Sequence, residues 1–307
     1  MMTDLTTYAL GADVVLLVGG FAYAAWSDLR EREVPDGLWQ LLGVAGFLIG
    51  YVPVAPGGLL PTVLWTIVGV FVLQHLFSWD TRLGPGGERY ADLIEIAVYV
   101  AVGSVVVVEL AHVGVGSTGV PVSVLAVLAS VLFARGLFEA GILYGGADAK
   151  ALMIAGLLLP LFPNPWIPQP ASIAPVTQVL PFAVNVLMNA ALFSLVVPIS
   201  IAVRNVRAKE FHGVSGFLGY SIPVSELPRR YVWVRDPMFG EGREEEKSIE
   251  TSEDDRRRRV EIAQALEAKG VRRIWVTPQV PFVVLMAFGV LAALLAGNIA
   301  FDVLFRL

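Results

Sequence analysis

Long apolar runs are the feature that most limits how this chain can fold. A run of about 20 apolar residues is long enough to cross a bilayer as a helix. Only 16% of the residues are charged and the mean hydropathy is +0.68, whereas a soluble domain carries about 25% charged residues. The sequence therefore predicts an all-α polytopic membrane protein with about eight transmembrane helices and a small mixed cytosolic domain. The candidate helices cover roughly 8–26, 37–54, 59–78, 93–113, 120–143, 149–165, 177–203 and 280–303.

The basic residues predict an orientation for these helices. Short loops rich in Lys and Arg stay in the cytoplasm, and an outside N-terminus with eight spans places nearly all basic residues there. No cleavable signal peptide is expected, because the first residues lack a basic segment and an obvious cleavage site. The sixth segment is short, and a failure to span would invert every later helix. The loops predicted to lie inside are 27–36, 79–92, 144–148 and 204–279.

We expect three regions along the chain. Residues 1–203 form a helical membrane domain, 204–279 a charged cytosolic domain, and 280–307 the final transmembrane helix. Within the cytosolic domain, residues 241–259 are typical of a solvated loop of unassigned role. Residues 260–270 predict a short helix that Gly270 ends, and 272–278 predict a strand or an extended link.

Several kinds of chemistry are excluded by composition. The chain has no cysteine, so disulfides, thiolate zinc sites and a cysteine nucleophile are excluded. Its three histidines are scattered without HExxH spacing, which argues against a zinc peptidase. We therefore expect neither a metal nor another cofactor, and no nucleic-acid partner.

Two aspartates lie at the same predicted membrane edge. Asp28 follows the first helix and Asp148 lies between the fifth and sixth. Charges near the membrane are often functional, and two carboxylates at one depth suit an aspartic peptidase dyad. One member keeps its proton and stabilises the oxyanion, while the other activates water. Taken alone, each has a structural alternative: Asp28 as a solvated residue at a helix end, Asp148 as a helix N-cap.

The glycines before Asp148 fit a catalytic role for it. Gly145 and Gly146 permit unusual backbone angles and a close approach by a substrate chain. The start of a helix next to Asp148 would also favour its negative form. The sequence alone does not assign which aspartate is the acid and which the base.

Together the two motifs resemble those of the prepilin peptidase family, in its archaeal branch of preflagellin and type IV prepilin-like peptidases. These are GxGD-type aspartic membrane peptidases. The first motif is Asp28, Arg30 and Arg32 followed by Val34-Pro35, and the second is Gly145-Gly146-Ala147-Asp148 with Lys150 behind it. Residues 217–227 and 272–282 also resemble the cytosolic domain of archaeal members and its link to the last helix.

Two departures accompany the resemblance. Ala147 replaces the glycine directly before Asp148, a small change that we expect the geometry to tolerate. The aspartates are also 120 residues apart, farther than in the simplest members, and two additional helices near 59–113 would explain the excess. An even number of added helices keeps both aspartates on one side of the membrane.

The resemblance implies a substrate class and partners. These are precursors of type IV prepilin-like proteins or archaellins, each with a basic leader, then a hydrophobic helix that partitions into the lipid bilayer. The leader would be cut off at the cytoplasmic membrane face, level with the aspartates. Acidic groups at Asp36, Asp92 and Glu95 are candidates for attracting the leader.

Three alternatives stay open. A presenilin-like or signal-peptide-peptidase-like intramembrane protease also pairs aspartates, but Ser27 replaces the Tyr of its first motif and no Pro-Ala-Leu follows. A rhomboid-like serine peptidase is suggested by the GxSG match at 213–216, where no histidine follows as a base. A non-enzymatic transporter or assembly protein would fit charges such as Arg135 and Glu139 within the fifth helix, which the i,i+4 spacing can pair.

Overall fold

The computed structural model describes residues 2–77, 97, 99–104, 107, 120–143, 145–161, 180–234 and 252–306. The chain divides into two compact units. Unit 1 comprises Met1–Ser27, Val34–Leu192 and Val283–Leu307. Unit 2 comprises Asp28–Glu33 and Phe193–Phe282. The short segment that contains Asp28 therefore groups with the later part of the chain rather than with the rest of its own helix.

The described part of the chain is mostly helical. Three helices continue from one unit into the other: α1 ends in unit 2, α6 ends two residues inside it, and α10 begins at the last residue of unit 2. The helices assigned mainly to unit 1 are α1 (Met2–Glu31), α2 (Asp36–Val54), α3 (Leu59–Phe77), α4 (Val120–Glu139), α5 (Gly146–Leu158), α6 (Phe182–Ser194), α10 (Phe282–Ala296) and α11 (Ile299–Arg306).

Four helices among the described residues are long and apolar enough to cross a membrane: Leu5–Glu31, Asp36–Gly57, Leu59–Phe77 and Phe182–Ala208. Large apolar side chains on them face outwards, such as Val15 at 71% exposure and Leu41 at 68%. Four apolar helices of this length with outward-facing apolar side chains are typical of a helical membrane protein. The predicted total of eight spans is not confirmed, and most of the predicted fourth helix (93–113) lies outside the described residues.

Helix α5, the predicted sixth segment, is the buried centre of unit 1. Nine of its 13 residues are buried, including every residue from Ala151 to Leu158. The helix begins three residues before the predicted start and ends at Leu158, because Leu159 has a non-helical backbone with a φ of −129° and a ψ of 85°. Its 13 residues are about 20 Å long, which is short of the roughly 30 Å hydrocarbon core.

The chain after α5 returns beside it. Leu161 and Pro181 form an antiparallel bridge, and the N–H of Phe182 donates to the carbonyl of Pro160 over 3.2 Å. Residues 162–179 lie outside the described residues. Helix α6 begins at Phe182, directly after this bridge.

The predicted final helix is broken. Between α10 and α11, Gly297 has a φ of 81°, and the polar side chains around the break are buried. Asn298 Oδ1 accepts a hydrogen bond from the N–H of Phe301, as an N-cap does. From α6, Asn189 donates to the carbonyl of Gly297 and accepts from the N–H of Ala300. These bonds satisfy backbone groups that the break exposes.

Unit 2 contains the described strands. A three-stranded antiparallel sheet has the order β1 (Tyr220–Pro223), β3 (Arg273–Pro278), β2 (Val232–Val234). Around it are α7 (Val196–Ala208), the short α8 (Ser215–Leu218), a 3₁₀ helix (Val224–Arg229) and α9 (Ser252–Ala268). Its apolar core combines one face of the sheet with residues of the surrounding helices: Ile201, Ile222, Leu227, Leu266 and Val276 are among its buried members.

The strand predicted at 272–278 is confirmed as β3, and it is the central strand of the sheet. The helix predicted at 260–270 is present, and it ends before Gly270, whose φ is 74°. The prediction of a loop through residue 259 is wrong for 252–259, which form the first half of α9. Residues 241–251 lie outside the described part of the chain.

Candidate functional site

Asp28 lies in the last turn of α1. The helix continues to Glu31, and the carbonyl of Asp28 accepts the N–H of Arg32 over 3.2 Å. Arg32 then adopts a left-handed backbone with a φ of 58°, which ends the helix. Asp28 is half-buried, whereas Arg30 and Glu31 are exposed.

Asp148 lies in the first turn of α5, three residues after the N-cap Gly145. This placement differs from the alternative in which Asp148 is itself the N-cap. Its N–H donates to the carbonyl of Gly145 over 3.1 Å. The positive end of the helix dipole favours a negative group in this first turn.

The carboxylate of Asp148 folds back over Gly145. A methyl group built on Gly145 would lie 2.8 Å from Oδ2 of Asp148, a distance that ordinary Cβ atoms do not reach. A methyl group on Gly146 would meet nothing within 4 Å. The φ of Gly145 is −94°, a value that any residue adopts. A larger residue at this position would therefore be opposed by the carboxylate of Asp148 and not by the backbone conformation.

An ion pair joins the segments that follow the two aspartates. Nζ of Lys150 donates to Oδ1 of Asp36 over 2.7 Å. The Lys150 side chain is 15% exposed and that of Asp36 is 62% exposed. Both residues belong to unit 1, and each lies in the first two turns of its helix.

Helices α2 and α5 start from the same end of unit 1 and run in parallel. Beyond the ion pair, Gly43 faces Ile154 and Gly46 faces Leu158, so the contacts advance along both helices in the same direction. A methyl group on Gly46 would come within 2.7 Å of Leu158. The glycines therefore permit the close approach that fixes this arrangement.

The other predicted site residues have these positions. Pro35 is the N-cap residue of α2 and Ala147 is in the first turn of α5. Asp36, a candidate for attracting the leader, is the partner of Lys150. Asp92 and Glu95 lie outside the described residues. Among the residues described, no three His, Asp or Glu side chains are grouped as a metal site.

The residues that suggested a transporter and a serine peptidase contact residues close to them in the sequence. Arg135 and Glu139 form the predicted i,i+4 pair at 3.9 Å, near the exposed end of α4. Ser215 of the GxSG match donates its hydroxyl to the carbonyl of His212, which is a turn contact. Neither contact indicates transport or serine catalysis.

Sequence reasoning missed two contacts that involve motif residues. One is the pairing of Lys150 with Asp36. The other is the set of contacts that Arg32 makes with Tyr231 and Gln279. The opposite charges of Asp36 and Lys150 were a usable signal, since each lies directly beside one of the two motifs.

The fold and these sites define a helical membrane protein with a small sheet-containing domain. Residues 214–299 match the family model described as Archaeal Peptidase A24 C-terminus Type II. This match supports the archaeal prepilin/preflagellin peptidase family, and it confirms the resemblance found in the sequence. The matched residues include most of unit 2 and α10, but neither Asp28 nor Asp148. Neither a curated protein nor a solved structure matched the chain.

Proposed function

We propose that the protein is an aspartic endopeptidase that removes the basic leader from type IV prepilin-like or archaellin precursors at the cytoplasmic membrane face. Asp28 and Asp148 are its catalytic pair. The family match supports a peptidase. The mechanism rests on the two aspartates, and the substrate class is what the resemblance to the prepilin peptidase family implies.

The ion pair between Asp36 and Lys150 is the observation that supports this proposal most. Asp36 follows Asp28 by eight residues and Lys150 follows Asp148 by two. The pair fixes the segments behind both motifs at the end of unit 1 where α2 and α5 begin. A dyad requires its two carboxylates at one membrane depth, and a shared starting end for these helices favours that.

The chemistry needs one carboxylate in each protonation state. Two adjacent carboxylates do not both ionise easily, so the pair holds one proton between them. The ionised member takes a proton from water as the water attacks the scissile carbonyl. The protonated member donates a hydrogen bond to the oxyanion that forms. No metal or other cofactor is needed for these steps.

The predicted topology supports the position of the cut. A precursor whose hydrophobic helix enters the bilayer holds its leader junction at the interface. With the N-terminus of the enzyme outside, Asp28 and Asp148 lie at the cytoplasmic face, where the basic leader is synthesised. Basic loops on that side agree with the positive-inside rule.

The position of the cut tests the proposal against the intramembrane alternative. Membranes containing the protein are mixed with a precursor that carries a basic leader, and the masses of the products are measured by mass spectrometry. The proposal expects one cut at the junction between leader and hydrophobic helix. A cut within the hydrophobic helix would favour a presenilin-like protease, and an intact precursor would favour a non-enzymatic membrane protein.

A further inference from the structure

The segment after Asp28 is held by residues far along the chain. Nη1 of Arg32 donates to the carbonyl of Gln279 over 3.2 Å, although 247 positions separate them. The left-handed backbone of Arg32 is rare for a residue with a side chain. Such a conformation persists only where the surroundings fix it. Here the contacts of the Arg32 side chain hold the backbone in this conformation.

The aromatic ring of Tyr231 provides the second contact. The guanidinium carbon of Arg32 is 4.9 Å from the centre of that ring, and the guanidinium carbon of Arg259 is 5.3 Å from the same centre. Arg259 is 3% exposed, so its guanidinium is fixed within unit 2. Cations over an aromatic face are attracted to it, most strongly where water is excluded. We call Tyr231, Arg259 and Gln279 the Arg32 clamp.

The Arg32 clamp is built on the sheet of unit 2. Tyr231 directly precedes β2 and Gln279 directly follows β3. The N–H of Gln279 donates to the carbonyl of Tyr231 over 3.0 Å, which extends the pairing of Val232 with Pro278 by one step. Arg259 comes from α9, which contributes Ala263 and Leu266 to the apolar core of unit 2. The clamp therefore has the rigidity of a packed sheet.

We infer that the sheet domain of unit 2 acts as a positioning device for Asp28, with Arg32 as the positioning residue held in the Arg32 clamp. The inference rests on the proposed catalytic role of Asp28. It assigns a task to the sheet of the family-matched segment: to fix the end of α1 and thereby the direction of the Asp28 side chain. Asp28–Glu33 belong to the same compact unit as the sheet, which agrees with this role.

A spin label tests the clamp without relying on cleavage. The chain has no cysteine, so a single Glu31→Cys substitution on the exposed surface of the last turn of α1 carries the only label. The full-length protein in lipid nanodiscs is measured by electron paramagnetic resonance. Arg32→Gln and Tyr231→Leu are expected to raise the mobility of the label, while Tyr231→Phe, which keeps the ring, leaves it unchanged.

Arg204 provides a matched control. Its guanidinium carbon lies 3.8 Å from the ring centre of Tyr220, so the same kind of contact exists elsewhere in unit 2. Arg204→Gln should leave the mobility of the label at its wild-type value. An unchanged label in Arg32→Gln, or an equal change in Arg204→Gln, would overturn the inference.

Cleavage rates in the same set separate positioning from general stability. Misplacing a catalytic group by about 1 Å lowers turnover by roughly tenfold to a hundredfold, so Arg32→Gln should lower kcat by about that factor with KM nearly constant. Arg32→Lys, which keeps a cation and a donor for Gln279, should recover part of the rate. If the label responds as expected while wild type cuts no precursor, the clamp stands and the proposed function fails. Wild-type kcat in an Arg32→Gln protein with a mobile label would refute the positioning role.

Discussion

Lys150 Nζ lies 2.7 Å from Asp36 Oδ1, although 114 positions separate the two residues in the sequence. The contact joins the first turn of α2 to the start of α5. Because Lys150 is mostly buried and Asp36 is mostly exposed, solvent screens the pair in part. The ion pair therefore contributes little to the free energy of unfolding, and its main effect is to fix the starts of α2 and α5 relative to each other.

Exchanging the two charges should show whether cleavage depends on the ion pair itself or on the particular residue at each position. Asp36→Lys and Lys150→Asp each place like charges together, and each should slow precursor cleavage by about fivefold, equivalent to about 1 kcal/mol. The double exchange should recover most of the loss. Initial cleavage rates at equal expression provide the measurement.

The pair between Arg230 and Glu226 is a suitable control for this exchange, because it has the same 2.7 Å separation on the exposed surface of unit 2. Glu226→Lys should change cleavage little. A double exchange at 36 and 150 that is no faster than the slower single variant would contradict the role of the ion pair.

A methyl group at Gly145 should disable the site without unfolding the protein. In Gly145→Ala the new Cβ occupies space 2.8 Å from Oδ2 of Asp148, so the carboxylate must turn away. We expect cleavage to fall by about tenfold or more while the unfolding temperature stays close to that of wild type. Gly146→Ala, whose Cβ meets nothing within 4 Å, should keep its activity. Equal rates in the two variants would show that the observed carboxylate position is not the one that matters.

Helix α5 should be sensitive to size where it crosses α4. A methyl group on Gly156 would lie 2.2 Å from Cβ of Ser130, and overpacking of this kind typically destabilises by about 1–3 kcal/mol. Gly156→Ala should therefore lower the thermal unfolding midpoint, and adding Ser130→Gly should restore it. Gly136→Ala on α4, which meets nothing within 4 Å, is the neutral comparison. A midpoint that the second substitution does not raise would argue against this packing.

The break between α10 and α11 should depend on Asn189. Asn189→Leu leaves the carbonyl of Gly297 and the N–H of Ala300 without their partner, and each unsatisfied buried group costs about 1–3 kcal/mol. Asn189→Asp keeps the acceptor for Ala300 but sets a buried carboxylate oxygen against the carbonyl of Gly297, so it should also be less stable than wild type at neutral pH. Thermal unfolding in a fixed detergent ranks the three proteins. An Asn189→Leu protein as stable as wild type would mean that the break is satisfied in another way.

The sequence predicts the helices better than it predicts their ends. Apolar length indicates α1, α2 and α3 because burial and lipid exposure both favour apolar residues. It does not show that α5 stops at Leu158 or that α10 ends before Gly297, since both ends depend on tertiary partners such as Pro181 and Asn189. The start of α9 is missed for a similar reason: Arg259 reads as a solvated charge, but it packs over Tyr231.

In the candidate site, too, the sequence predicts some features and leaves out those that depend on tertiary contacts. Motif residues and the family resemblance point to Asp28 and Asp148, and the structure adds the reason for Gly145. Strands β1 and β2 have four and three residues, which is too short for an alternating apolar and polar pattern to indicate them. The sequence therefore does not predict the whole sheet next to Arg32. A contact between residues 247 positions apart, such as that of Arg32 with Gln279, has no local sequence signal.

The most direct test of the account is precursor cleavage by three Asp→Asn variants at equal expression, followed by the mass shift on loss of the leader. Asp28→Asn and Asp148→Asn should each abolish cleavage, because the pair needs both carboxylates. Asp13→Asn is the matched control on α1, where Oδ1 of Asp13 has no hydrogen-bond partner among the described residues, and it should cut at the wild-type rate. Cleavage that persists in Asp28→Asn or in Asp148→Asn would remove that residue from the catalytic pair and contradict the proposed mechanism.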